Sequence, residues 1–483
     1  MNVTKSLSCC PAWLLALCLI LPAAIASGQF GPDAPDQTKP DDKEAADLAA
    51  KAYKDNLAKY KDNPDFFVRP GLLADRKNKT VRLWGRSTHL STTDPAEFFV
   101  IPGDSGKDYE AVAVAYVKSS DVRAALEFIG MKPGRPANFG LNSFWPKGER
   151  IIAWFEWTQP PERPDGKGEP KRARAEDILF DVKTNRPLPP AGFVFTGSTF
   201  LKSEDDDKQI FAADALDARS VIADYNERSS ILDVPRQAPQ GAVYGTIKLN
   251  PAHRFGPEKP LQITLEPEHK DAALRVRDLT LDISIPPGTA IQDGKFLLKD
   301  AQGSALTPQP TFINALAEFG KLTDAGVDPY VTLSLDGEMT LAAARNLAIF
   351  LASIDSERGI RIEAPPAGQL YYRNFTPRDE WRDRDKRLGR PWELHVSEKD
   401  GHVSGTLILP ADQIDNNQGL GDLKFPVGSP EEVAKVLQEK SDKWAHSVYI
   451  FAQSEMTVGP LLKFITPGMK IRPAMYVFLP EPK

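Results

Sequence analysis

A cluster of charged residues near the middle of the chain is the first place where the sequence could support chemistry. Arg172 and Arg174 lie two positions apart, and Glu176 and Asp177 follow them closely. Arginine side chains bind carboxylate and phosphate groups through paired hydrogen bonds, so this cluster is a candidate binding site. The same residues could instead form solvated ion pairs, each contributing about 0–1 kcal/mol to stability.

A second cluster groups arginines around one tryptophan. Residues 378–388 have the pattern of a charged helix, in which Glu380 and Arg384 are spaced to form an i, i+4 ion pair. A self-satisfied, solvated helix is one interpretation of this segment. The other is a docking site for an acidic partner or a wall polymer, with an aromatic platform beside the arginine forks. Its candidate binding residues are Arg373, Arg378, Trp381, Arg382 and Arg387.

The cysteines and histidines exclude several kinds of reaction. The three cysteines all lie within the first 26 residues. We expect this segment to be a signal peptide that is cleaved off, as argued below. The mature chain would then have no cysteine, which excludes a thiolate nucleophile, a cysteine-bound zinc ion and an iron–sulfur cluster. The histidines never recur at the HxH or HxxxH spacing of metal ligands, and no nucleophile elbow, phosphate loop or dinucleotide motif occurs in the right context. We therefore predict no catalytic residue, metal site or cofactor.

Paired carboxylates are the remaining candidates for catalysis. Glu176 and Asp177 form one such pair, and Asp379 and Glu380 form another. Adjacent residues of a strand point to opposite faces, so a working pair would have to come from distant segments. A carboxylate-dependent hydrolase acting on an envelope polysaccharide is thus the alternative to a binding role.

The first 26 residues have the pattern of a secretory signal peptide. Lys5 is basic, residues 12–26 are apolar, and the small residues at 24–26 form a cleavage site. The apolar run is shorter than the ~20 residues that span a membrane as a helix. We therefore expect a bacterial protein that is periplasmic, secreted or on the cell surface, with no transmembrane segment after cleavage. The formal net charge of -6 and the lack of a long basic block argue against nucleic-acid binding.

Composition divides the rest of the chain into consecutive parts. Residues 27–65 are a linker and a helix, 66–240 are rich in short strands, 241–305 form a small β module, and 306–483 alternate helices and strands. The 42 prolines exceed the usual share of about 5 % and favour short strands and turns over long helices.

Residues 66–240 contain several motifs in a recognisable order. They are KDYE at 107–110, DVRAALEFIGMKPG at 121–134, RAED at 174–177, FVFTGSTF at 193–200 and AD at 213–214. Together they resemble the YdjY domain family, which implies an α+β domain and carries no agreed reaction or substrate. Tyr109 stands where this resemblance leads us to expect a histidine. That difference argues against a metal or acid–base role at the position.

The last part of the chain repeats one pattern in two halves, 311–364 and 429–481. Each half contains a Glu-Met-Thr tripeptide, at 338–340 and at 455–457, between a short strand and a helix. Helices that link short apolar strands favour parallel pairing, so we predict a duplicated α-β-α-β region forming a mixed sheet. The arrangement over residues 311–483 resembles the periplasmic domain of ExbD/TolR-type transport proteins.

The prediction for the whole chain is a multi-domain α+β protein. It has a β-rich YdjY-like domain, a small β module and the duplicated region. Several small β-rich domains joined by proline-rich linkers, without a catalytic constellation, favour a non-enzymatic binding or assembly module. Its expected partner is an envelope protein or polymer. The sequence does not indicate whether the protein forms oligomers.

Overall fold

The computed structural model divides the chain into two compact units. The first contains residues 1–131 and 151–266, and the second contains 132–150 and 267–483. Both mix helices with a larger number of strands, which confirms the predicted multi-domain, β-rich α+β class at that level. The predicted signal peptide and linker up to residue 42 lie outside the residues that the structure describes. The described residues are 43–138, 143–160, 167–202, 209–253, 255–268, 276–358, 361–362, 370, 391–410, 421–439, 447–472 and 475–479.

The first unit is built mainly from short strands. Its helices are α1 (Lys43–Tyr60), α2 (Ser119–Phe128), α3 (Ala175–Ile178), α4 (Ala212–Ala215) and α5 (Gln240–Val243). Its first strands are β1 (Phe66–Arg69), β2 (Leu72–Asp75), β3 (Thr80–Ser87), β4 (Phe98–Pro102), β5 (Ala111–Ala115), β6 (Arg150–Gln159), β7 (Glu169–Arg174) and β8 (Leu179–Asp181). The later ones are β9 (Arg186–Pro187), β10 (Phe193–Phe195), β11 (Phe200–Lys202), β12 (Gln209–Phe211), β13 (Ser220–Ala223), β14 (Ser230–Asp233), β15 (Ile247–Leu249) and β16 (Pro260–Pro267).

The main sheet of this unit closes on itself. Its strands follow the order β1-β2-β3-β16-β6-β10-β14-β13-β4-β5, and β5 also pairs with β3. The strands from β3 round to β5 therefore form a closed barrel, which leaves no free edge along that part of the sheet. Closure joins strands that are far apart in the sequence, and for that reason the strand pattern did not predict it.

Alternation along the strands separates the interior of the barrel from its outer face. Val81 and Leu83 of β3 and Ile263 of β16 are fully buried, whereas the intervening Arg82 and Trp84 are not. Successive side chains of a strand point to opposite faces, so the apolar residues fill the barrel and the others face outward. The main apolar cluster of the unit contains these inward residues.

A glycine permits the closure between β3 and β5. Gly85 lies opposite Ala115 in this pairing, and a Cβ atom added at Gly85 would come within 2.2 Å of the Val114 carbonyl oxygen. Glycine without a side chain is typical of places where two backbones approach closely. The close approach therefore depends on the absence of a side chain at this position.

The boundaries of the units differ from the predicted domains. The strands assigned to a small module at 241–305 are divided between the two units, because β16 pairs with β3 in the barrel. Residues 132–150, which fall inside the predicted domain at 66–240, belong to the second unit and contribute Phe144 and Trp145 to its core.

The second unit alternates helices and strands. Its helices are α6 (Phe312–Asp324), α7 (Leu341–Arg358), α8 (Pro430–Glu439) and α9 (Val458–Met469). Its strands are β17 (Val276–Ser284), β18 (Lys295–Lys299), β19 (Asp328–Leu335), β20 (Arg361–Ile362), β21 (Trp392–Lys399), β22 (His402–Leu409), β23 (Leu423–Val427), β24 (Val448–Phe451) and β25 (Met475–Phe478).

These strands form two mixed sheets rather than the single mixed sheet that we predicted. One sheet has the order β18-β17-β19-β20, and the other has the order β23-β22-β21-β24-β25. In each sheet a central strand pairs antiparallel with the strand that follows it along the chain and parallel with the next strand after a helix. The hairpins β17–β18 and β21–β22, which we had placed outside the halves, thus belong to these sheets.

The two Glu-Met-Thr tripeptides contact each other within the second unit. Thr340 and Thr457 form an antiparallel bridge. The Leu341 amide donates to the Met456 carbonyl, and the Val458 amide donates to the Met339 carbonyl, both at 2.8 Å. Because each bond has its counterpart at the corresponding place of the other half, the contact is reciprocal. Two helices, α7 and α9, begin at this junction.

Candidate functional site

Arg172 is held against a tryptophan on the outer face of the barrel. It lies on β7, directly opposite Glu156 of the neighbouring strand β6. Its guanidinium stands 4.2 Å from the ring centroid of Trp154, and its Nε atom lies 3.2 Å from a Glu156 carboxylate oxygen. The Arg172 side chain is nevertheless 51 % exposed. A cation stacked on a ring and oriented by a carboxylate is a preorganised group that still faces solvent.

Two neighbouring strands extend this face. Gln262 of β16 lies opposite Trp84 of β3, and its amide nitrogen is 3.4 Å from a Glu156 carboxylate oxygen. The Trp154 indole donates a hydrogen bond to Glu266. We call the surface formed by Trp84, Trp154, Glu156, Arg172 and Gln262 the tryptophan–arginine face. It combines aromatic rings, a cation, a carboxylate and an amide on a rigid sheet.

A cavity lies beside this face, between α1 and strands β3, β6 and β16. Its volume is about 410 Å³, within the range of about 300–1,000 Å³ typical of small-molecule sites. Helix α1 contributes Ala45, Leu48 and Ala52 to the lining, and the strands contribute Trp84, Glu156, Trp157, Thr158, Leu261 and Gln262 among others. Helix α1 is therefore packed on the barrel.

The other three residues of the predicted central cluster have different roles. The Nη2 and Nε atoms of Arg174 donate hydrogen bonds to the Glu176 carboxylate at 2.7 Å and 3.3 Å. The Gly192 amide donates to the same carboxylate at 2.7 Å. Glu176 thus accepts three hydrogen bonds and is almost fully buried. The Asp177 carbonyl accepts a bond from the Asn250 side chain. These contacts anchor the chain around α3 and do not converge with Arg172 on one open site.

The second predicted cluster cannot be placed. Arg373, Arg378, Trp381, Arg382 and Arg387 all lie outside the residues that the structure describes. The docking helix therefore stays a prediction.

A group of buried carboxyls is a feature that sequence reasoning missed. Glu97, Glu110, Asp224 and Asp233 are at most 8 % exposed. They belong to segments at the ends of β4, β5, β13 and β14, which lie side by side in the barrel. Sheet order thus gathers acids that are far apart in sequence. In the sequence, each of these carboxyls lies at or next to the end of an apolar strand, and that position could have identified the cluster. The motif at 107–110 drew attention only to Glu110.

Burial dominates the electrostatics of this carboxyl cluster. It raises the pKa of Glu97, and the neighbouring Glu110 carboxylate raises it further. Burial also raises the pKa of Asp224, against the attraction of Arg236, and both Asp224 carboxylate oxygens are without a hydrogen-bond partner among the described residues. Gln240 donates to Glu97, and Asn226 donates to Asp233. Burial therefore favours the neutral, protonated form of Glu97, Asp224 and Asp233.

Neither a metal centre nor a membrane helix is found in the described ranges. They contain no group of three or more histidine, cysteine, aspartate or glutamate side chains that could hold a metal ion. No helix there is long and apolar enough to cross a membrane.

Comparison with known proteins identifies one family within the chain. Residues 72–219 match the model of the YdjY domain. The match includes the motifs that carried the resemblance in the sequence, and it covers most of the barrel strands together with residues 132–150 of the second unit. No curated protein matches the chain. The chain therefore contains a YdjY domain, at residues 72–219.

Proposed function

We propose that the chain is a non-enzymatic binding module of the bacterial cell envelope, and that the tryptophan–arginine face binds an envelope polymer. The observation that carries this proposal is the stacking of a half-exposed Arg172 on Trp154, with Glu156 orienting it. Tryptophan and arginine are the residues most often responsible for binding energy at protein surfaces. Here they project from paired strands, which hold a binding group more precisely than loops do.

The chemistry of the face favours a polysaccharide over an apolar partner. Indole rings pack against the C–H groups of sugar rings, whereas carboxylate, amide and guanidinium groups exchange hydrogen bonds with hydroxyls. An apolar partner would bury Glu156, Gln262 and Arg172 without new hydrogen bonds, which is costly for polar groups. Localisation in the envelope rests on the sequence pattern of residues 1–26 and is part of the proposal.

Co-sedimentation with insoluble cell-wall glycan tests this function. We expect Trp154→Ala and Arg172→Ala each to weaken binding by at least about tenfold, the effect of losing roughly 1.4 kcal/mol or more at a central contact. Arg69→Ala is a matched control, because Arg69 also stacks on a ring, that of Phe67, and is 49 % exposed elsewhere on the same unit. Wild-type binding by both face variants, or no binding by the wild type, would overturn the proposal.

We also propose that the two halves of the second unit are copies of one module, paired within the chain as an assembly element. Apart from the additional strand β23, the two sheets have equivalent strand orders, and reciprocal bonds join residues 337–342 to residues 454–459. Both observations support this reading. The resemblance to ExbD/TolR-type domains belongs to the same proposal. If each half is expressed alone, the separated halves should associate; halves that stay monomeric at high concentration would contradict it.

A carboxylate-dependent hydrolase is the second candidate. The raised pKa of Glu97 and Asp224 favours it, because a general acid must be protonated near neutral pH. Against it, these carboxyls are almost fully buried, and Glu176 already accepts three hydrogen bonds. Release of reducing sugar ends from wall polysaccharide, lost in Asp224→Asn, would favour the hydrolase over the binding module.

A further inference from the structure

Helix α1 lines the cavity with two alanines, a leucine and two charged residues. They are Ala45, Leu48, Lys51, Ala52 and Asp55, and the strands contribute Trp84 and Trp157 among others. Alanine side chains are small, so Ala45 and Ala52 leave room between the helix and the strands.

The lining of this cavity combines apolar and polar groups. Trp84 and Leu48 supply apolar surface, whereas Glu156, Thr158 and Gln262 supply hydrogen-bonding groups from the strands and Lys51 and Asp55 supply charges from the helix. An entirely apolar ligand would leave these polar groups buried without partners, at a cost of about 1–3 kcal/mol for each. A ligand with one apolar face and a polar edge would satisfy both sides.

The cavity is continuous with the tryptophan–arginine face. Glu156 lines the cavity and also orients Arg172, and Trp84 and Gln262 belong to both surfaces. A chain-like ligand lying on the face would therefore meet the cavity without leaving the strands. A partner with the same chemistry repeated along its length fits this continuity better than a single small molecule.

We propose that the cavity beneath α1 binds one sugar ring of the polysaccharide that lies on the tryptophan–arginine face. This inference rests on the proposed function and adds a specificity pocket to it. The indole of Trp84 packs against the C–H face of the ring, and Glu156, Thr158 and Gln262 bond its hydroxyls. Helix α1 lines the opposite side of the pocket with Ala45, Leu48 and Ala52.

The test fills the cavity without touching the open face. Ala52→Leu adds a larger side chain to the lining, and Ala50→Leu is the matched control because Ala50 is exposed on the same helix. In the glycan co-sedimentation assay, we expect Ala52→Leu to bind at least about tenfold more weakly and Ala50→Leu to bind like the wild type. The melting temperature of Ala52→Leu should be unchanged or higher, since it fills space.

The new leucine at position 52 could displace α1, so a second variant tests the pocket without changing its shape. Thr158→Val keeps the shape of the side chain and removes its hydroxyl, so we expect binding about threefold to tenfold weaker, the effect of one lost hydrogen bond. If both cavity variants bind like the wild type while Trp154→Ala does not, the pocket is refuted and the proposed function stands. If the wild type does not bind glycan, the pocket and the proposed function are both refuted.

Discussion

Replacing Asp328 with alanine is expected to destabilise the second unit by about 3–5 kcal/mol, because it leaves two buried arginines without their shared counter-charge. Asp328 receives the Arg150 Nε atom at 2.8 Å and an Arg361 nitrogen at 2.7 Å. All three side chains are at most 12 % exposed. Hydrogen exchange of peptides from β17 and β19 measures the loss, because both strands lie in the sheet that Asp328 joins.

A second aspartate of the same sheet provides the control for this change. Asp282 of β17 pairs with Lys299 of β18, but that pair is about one-third exposed. An exposed pair contributes about 0–1 kcal/mol, so Asp282→Ala should change exchange only slightly. Equal effects of the two substitutions would show that burial of the Asp328 ion pair does not govern the stability of this unit.

The stability of the first unit is expected to fall as pH rises from about 4 toward 8. Burial raises the pKa of Glu97, Asp224 and Asp233, so the folded state holds protons that the unfolded chain has already released. The stabilisation from these groups is complete below the pKa of the unfolded carboxyls and is lost as pH passes through the raised values. The charged groups that act on them are Glu110, Glu227, Lys107 and Arg236.

Asp224→Asn tests the source of this pH dependence. The substitution replaces a titratable carboxyl group whose oxygens have no hydrogen-bond partner among the described residues. We expect it to stabilise the unit by about 1–3 kcal/mol at pH 8 and to have little effect at pH 4, as measured by calorimetry of both proteins. A destabilising effect at pH 8 would mean that Asp224 is needed as a partner of Arg236.

The partly exposed Asp94 should show the opposite pH dependence. Hydrogen bonds from the Ser91 hydroxyl and amide lower the pKa of Asp94, so its contribution is present at neutral pH and lost as pH falls. Asp94→Asn should therefore cost more stability at pH 8 than at pH 4. The contrast between the two aspartates separates burial from hydrogen bonding as the cause of each shift.

Local patterns predicted most of the elements in the second unit. Apolar periodicity and the repeated Glu-Met-Thr tripeptide placed α7 and α9 and the strands before them, because helix starts and short apolar strands are set by nearby residues. They did not predict that β17–β18 and β21–β22 would complete two separate sheets. Strand partners depend on contacts across the fold, which a periodic pattern does not contain.

The candidate site was predictable only in part for the same reason. Arginine is a residue type that binds anions, and this property alone makes Arg172 a candidate. Its partners Trp154 and Glu156 come from the neighbouring strand, and the register between the two strands cannot be read from the sequence. Arg174 and Glu176 had the same signal and instead form a buried anchor with Gly192. The carboxyl cluster was hidden because Glu97 and Asp224 are brought together only when β4 pairs with β13.

Covalent footprinting of the chain with and without cell-wall glycan tests the central claim most directly. The tryptophan–arginine face predicts protection of peptides from β6, β7 and β16, centred on Trp154, Arg172 and Gln262. Peptides around Arg69 should react equally in both samples. Protection confined to other surfaces, with Trp154 and Arg172 as reactive as in the free chain, would contradict the account.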